Sequence, residues 1–200
     1  MRLEPATRAR AVPVVAIALA ASFVLSLSAC VPLLIGGAIA GGAAVATDRR
    51  STGAQLDDEV IEDKISLTIT DQHKGDFHVN VTSYNGLVLL TGEVPTQSAK
   101  DDIARMARAT PKVRGLQNEL VIGPVTNIST RTNDTLITSK VKARFVEAAK
   151  FQINFVKVVT ENGTVYLMGI VRRVEGDDAA EIARTTSGVQ RVVKVFEYVA

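Results

Sequence analysis

Apolar residues recur along this chain in three rhythms. From Ala11 to Ala29 they form a near-continuous run behind a basic leader with Arg2, Arg8 and Arg10. From Val31 to Ala46 the run resumes with small residues, Gly36-Gly37 and Gly41-Gly42 bracketing Ala38-Ile39-Ala40. Beyond Asp57 the pattern breaks into short periodic segments that occur twice. Val60, Ile61, Ile65 and Leu67 or Ile69, like Ile137, Val141, Phe145 and Ala148, return at helical spacing. Acidic residues at Asp57-Asp58-Glu59, and Asn133-Asp134, read as the starts of those helices. Alternating strands follow at Phe77-x-Val79-x-Val81 and Val156-x-Val158. Each turns at Asn-Gly (85–86, 162–163), the pair suited to a type I′ hairpin because both central residues take positive φ. Returning strands at 87–94 and 164–171 lead to helices near 96–109 and 174–186, then to last strands near 116–122 and 189–198.

The two copies are offset by 76 or 77 residues throughout, so this is an internal duplication. The spacing predicts an α+β fold of two tandem domains, each αββαβ, with two helices packed on one face of a three-stranded mixed sheet. The predicted boundaries are 1–29 for a leader, 30–53 for a tether, 54–125 and 133–200 for the domains, and 126–132 for a linker.

Cys30 changes the picture of the amino terminus. A basic region, an apolar stretch and small residues before a cut describe a secretory signal, and Leu27-Ser28-Ala29-Cys30 resembles the lipobox of bacterial lipoproteins. That resemblance implies a leader removed before Cys30 and a diacylglyceryl group on its sulfur. With more than one acyl chain the attachment is stable without a spanning helix. Val31, where an inner-membrane retention signal would place aspartate, implies the periplasmic face of the outer membrane. The stretch 31–46 is shorter than the roughly 20 residues a span requires; a segment lying on lipid and a disordered tether both fit it. As the one cysteine of the chain, Cys30 excludes an internal disulfide and a thiolate metal cluster.

Past the leader the chain carries 20 basic and 20 acidic residues, a net charge of zero. That balance, with no tryptophan and 4% aromatic residues, argues against nucleic acid as a partner. The two copies differ: residues 51–125 hold 7 basic and 11 acidic groups, net −4, whereas 131–200 hold 11 and 8, net +3.

Helix-strand-strand-helix-strand with Asn-Gly, a glycine six residues on and a late Gly- or Lys-Val resembles the BON domain. Asp48-Arg49-Arg50-Ser51-Thr52-Gly53-Ala54-Gln55-Leu56-Asp57-Asp58, Asn133-Asp134-Thr135, Val159-Thr160-Glu161-Asn162-Gly163 and Leu167-Met168-Gly169 resemble the dual-BON outer-membrane lipoproteins. The resemblance covers about Arg49 to the end. It implies a non-enzymatic protein that binds anionic phospholipid (phosphatidylglycerol or cardiolipin), mainly through its second domain, and supports envelope integrity and division.

The charge pattern points to the same place. Leu136, Lys140, Lys142 and Arg144 combine an apolar side chain with cations on one helix, which suits a lipid interface; the plainer reading is a solvated helix face with Leu136 half in the core. Relatives often carry an aromatic residue where Leu136 stands, which implies shallower insertion here. The open sheet face of the second copy, Phe155, Lys157, Val159, Tyr166 and Met168, is apolar beside the first copy's His78, Asn80 and Thr82, and calls for a cover from the first domain or a partner. An adaptor that binds an envelope protein is therefore the rival reading. No catalytic residues suggest themselves: no Ser/His/Asp arrangement appears, and the acidic run 57–63 lacks the alternating ligands and glycine of an EF-hand. Two histidines, His73 and His78, cannot complete a metal site. No metal or cofactor is expected.

Overall fold

The computed structural model describes residues 48–73, 75 and 77–200, all within one compact unit. The first repeat contains helix α1 (Thr52–Gln72), strands β1 (His78–Tyr84) and β2 (Leu87–Val94), helix α2 (Gln97–Ala109) and the broken strand β3 (Gly115–Asn118) and β4 (Val121–Ile122). The second contains α3 (Ile128–Ala148), a short 3-10 turn (Ile153–Phe155), β5 (Val156–Glu161), β6 (Thr164–Arg172), α4 (Arg173–Arg184) and β7 (Arg191–Val199). In each sheet the hairpin is antiparallel (Val81 opposite Leu90; Val158 opposite Leu167) and the last strand joins in parallel (Val88 beside Leu116; Val165 beside Val192). The predicted αββαβ order and mixed sheets are the observed ones.

Both Asn-Gly turns have the positive φ pair that a type I′ hairpin needs, 53° and 74° at Asn85-Gly86 and 46° and 72° at Asn162-Gly163. The glycine six residues later answers a different demand. A Cβ on Gly92 would stand 2.1 Å from the His78 carbonyl oxygen, and one on Gly169 2.2 Å from that of Phe155. The hairpin backbones approach too closely there for any side chain.

The helix starts differ from the expectation. α1 and α3 begin at Thr52 and Ile128, one to two turns before the acidic residues. Ser51 and Asn127 are their N-caps, accepting from Ala54 N at 3.1 Å and Thr130 N at 2.8 Å. Most of the expected linker 126–132 is therefore the first turn of α3. Along α1, Ile61, Ile65 and Ile69 are core while Val60 and Leu67 are exposed; along α3, Ile137, Val141 and Phe145 are core.

The two sheets face each other. Tyr84 and Leu89 from the first meet Tyr166, Met168, Ile170 and Val195 from the second in a common buried cluster. This gives four layers, helices, sheet, sheet, helices, and covers the apolar open face of the second copy with the first domain. Phe155 departs from the expectation: from the 3-10 turn it packs into the helix-side core, and the Arg49 guanidinium stacks 3.9 Å from its ring centroid. Around the seam, Lys157 Nζ bonds Glu62 at 2.8 Å, and Asn85 Nδ2 donates to Glu197 at 2.9 Å. Arg49 pairs with Glu175 at 2.6 Å, and Arg50 with Asp58 at 2.8 Å while stacking on Tyr84. Arg49 and Arg50, at the end of the segment expected as a tether, thus tie both repeats together, and their guanidinium groups are spent on protein carboxylates.

Candidate membrane-contact site

α3 is held from both its inner edge and its ends. Ile137, Val141 and Phe145 are 1%, 0% and 1% exposed and fix one side of the helix in the core. Asp134, also buried, accepts from Asn162 N and Gly163 N at 2.8 Å each, which seats the hairpin tip against the helix. Asp58 repeats the arrangement toward Asn85 N and Gly86 N at 2.7 and 2.8 Å, adding Ser83 Oγ at 2.6 Å. Burial alone would raise the Asp58 carboxyl, but the hydrogen bonds from Ser83, Gly86, Asn85 and Arg50 outweigh it and hold the group below its ordinary value.

The outer side of α3 then follows from helical geometry. Ile128 and Val146 stand about five turns apart on one azimuth, and they are 79% and 64% exposed; Leu136, 55% exposed, stands about 80° round the helix from that line. Lys140 and Lys142 flank the stripe on either side, exposed and without an ion-pair partner among the described residues. The helix has four basic and two acidic residues, net +2, and one of those acids is the buried Asp134. The exposed side of α3 thus sets apolar side chains between two ammonium groups that have no ion-pair partner among the described residues.

Arg144 is placed otherwise. Its guanidinium donates to Ile182 O at 2.8 Å and to the hydroxyls of Thr185 and Thr186 at 3.0 Å each, so it closes the end of α4 and fixes the two helices of the domain. Leu136, Lys140 and Lys142 share the outer face; Arg144 positions the helix behind it. Sequence spacing placed Arg144 on the correct edge but could not show that three acceptors of another helix waited there. Ile128 was not foreseen, because the helix was expected to start five residues later, and Val146 was not singled out.

α1 presents a contrasting face. Leu56, Val60 and Leu67 are 56%, 62% and 65% exposed on the side away from the core. Six acidic residues and one lysine give that helix a net charge of −5. The two repeats thus expose similar apolar stripes in opposite fields. Cys30 and the 31–46 segment lie outside the described residues, and no helix among those described is long and apolar enough to cross a membrane.

The BON domain family model matches twice, over residues 57–124 and 133–200. The chain is 40% identical over 174 residues to the outer membrane lipoprotein DolP of Haemophilus influenzae, covering 86% of this chain and 90% of that one. It is 37% identical to a 21 kDa hemolysin of Actinobacillus pleuropneumoniae, over 76% and 79% of the two chains. Osmotically-inducible protein Y of Escherichia coli is 26% identical over 76% and 77%. BON domains are not an enzyme family. Since both halves of the duplication are matched across nearly their whole length, the chain belongs to the BON domain family.

Proposed function

We propose that this protein is a non-enzymatic lipoprotein of the outer membrane, anchored through acylated Cys30 and facing the periplasm. Its second BON domain docks on anionic phospholipid, phosphatidylglycerol or cardiolipin, and so supports envelope integrity and cell division. The likeness to an outer membrane lipoprotein supports the location. The observation that carries the docking is the outer face of α3: exposed Leu136 and Val146 between Lys140 and Lys142, with no acidic side chain paired to either lysine among the described residues. Such a helix lies in the interface with its apolar side buried about 5–10 Å, and each well-placed cation adds about 1 kcal/mol on an anionic surface.

The test uses residues 48–200, which form a compact unit, mixed with vesicles of phosphatidylglycerol in phosphatidylcholine. Replacing Lys140 and Lys142 together with glutamine is expected to weaken binding about 30-fold at low salt, and less as salt shortens the Debye length. Leu136→Asp is expected to weaken it with a smaller salt dependence, because part of its contribution is apolar burial. Val60→Asp, on α1, is the control and leaves binding unchanged. Folded variants that bind as the parent does would remove α3 as the contact.

A second reading has its own support. The stripe Leu56, Val60 and Leu67, set among acidic residues, would be repelled by the same vesicles yet suits a basic protein surface. On that reading the protein is an envelope adaptor and lipid serves as anchor only. Unaltered vesicle binding in every α3 variant, with a partner lost in Val60→Asp, is the outcome that favours it.

A further inference from the structure

His78 does not stand alone in the folded chain. It lies directly across the β1–β2 ladder from Glu93, so the two side chains share the face of the first sheet that meets the second domain. Glu161 enters that face from the other repeat, just before its Asn-Gly turn. His78 Nδ1 is 3.4 Å from Glu93 Oε2 and 3.8 Å from Glu161 Oε1, and the three ligand atoms lie within 4.8 Å of one another. Glu93 and Glu161 are 6% and 7% exposed. Buried carboxylates of this kind need compensation, yet neither pairs with a lysine or arginine among the described residues. Nδ1 itself is buried with no hydrogen-bond partner.

We propose that His78, Glu93 and Glu161 form an inter-domain site for a divalent transition-metal cation of the zinc type. Four-coordinate zinc holds nitrogen and oxygen ligands at about 2.0–2.2 Å, which sets neighbouring ligand atoms about 3.3–3.6 Å apart. The two separations from His78, 3.4 and 3.8 Å, need a shift of a few tenths of an ångström, and the two carboxylates, whose ligand atoms lie within 4.8 Å of one another, close by up to about 1.5 Å on binding. Neighbouring donors orient the ligands. Asn80 Nδ2 and Thr91 Oγ1 donate to Glu161 Oε2 at 2.7 and 3.2 Å, which leaves Oε1 aimed at His78; Thr126 N and Oγ1 donate to Glu93 Oε2, the ligand oxygen itself, at 3.2 and 3.3 Å and hold it in place. A solvent-open groove of about 580 Å³, lined in part by Gly92, Glu93, Thr126 and Glu161, gives an ion its route and supplies water for the fourth position. Two ligands come from the first domain and one from the second, so the cation staples the repeats across the sheet-to-sheet seam.

The intact chain, purified in detergent and stripped with EDTA, is titrated with Zn²⁺ by calorimetry and with Co²⁺ by visible absorption. One equivalent of metal is expected, with a rise in the melting midpoint. His78→Gln and Glu161→Gln should abolish both, while His73→Gln changes neither. Thr91→Val, which removes one orienting hydroxyl, should weaken binding about 10–100-fold. Should the ligand variants fail to fold, Co²⁺ broadening of the His78 imidazole resonances in the unaltered protein provides the readout. Absence of binding in the parent would overturn the site. Binding retained in both folded ligand variants would overturn it equally, as adventitious surface coordination.

Discussion

Asp58 and Asp134 each join the first helix of a repeat to the hairpin of the same repeat. A carboxylate in the middle of a helix looks from the sequence like a solvated charge or a displaced cap, and here it is neither. It reaches across to two backbone N–H groups that the tight Asn-Gly turn leaves without strand partners. Truncation therefore strands donors at the hairpin tip. Asp134→Ala is expected to destabilise the protein by about 1–3 kcal/mol, read as a lower urea midpoint with an unchanged slope. A cost within error of zero would mean that water replaces the carboxylate freely.

Among the elements, the strongest electrostatic tie joins the segment before α1 to the start of α4. Glu175 is buried, accepts Arg49 at 2.6 and 3.0 Å and takes the Arg172 backbone N–H at 2.8 Å. The Arg49 guanidinium, first among these causes, together with Arg172 holds its carboxyl down to about 2 from an ordinary 4.5, against the opposing effect of burial. A carboxyl depressed on folding stabilises the protein fully above its unfolded value, and that stability disappears as pH falls from about 4.5 toward 2. Glu175→Gln should accordingly lie well below the parent in melting midpoint at neutral pH, with the gap closing by about pH 2. A gap that stays constant across that range would place the role of Glu175 in packing. α1 and α3 show the same economy of design with opposite results: equivalent helices, each with an exposed apolar stripe, are set apart by net charges of −5 and +2.

For the whole molecule, the two domains cannot be treated as independent beads. Their sheets share the cluster of Tyr84, Leu89, Tyr166 and Met168, each at most 4% exposed. Separation would expose such side chains at about 1.5–3 kcal/mol each. Charge substitutions within the paired unit are therefore a cleaner probe of lipid docking than isolated domains. At the same scale belongs the anchor. Cys30→Ser is expected to leave an unprocessed precursor that takes up no labelled palmitate in cells; equal labelling of the two forms would exclude Cys30 as the acylated residue.

The duplication, the αββαβ order, both Asn-Gly turns and the core edge Ile137, Val141, Phe145 were legible in the sequence, because each depends on local spacing and on the φ demands of a few residues. The exposure of Leu136, Lys140 and Lys142 was legible for the same reason: the helix period that buries Ile137, Val141 and Phe145 leaves all three outside the core. What lay beyond local spacing was decided by the pairing of the two sheets. That pairing covers the apolar strands of the second domain and binds Arg49 to Glu175. It also turns two histidines without evident ligands into one histidine beside Glu93 and Glu161, residues 15 and 83 positions away in the chain. Arg144 belongs to this second group, since the acceptors that claim it lie on a helix some 40 residues later. Periodicity states which side of an element a residue occupies; only packing states what stands opposite.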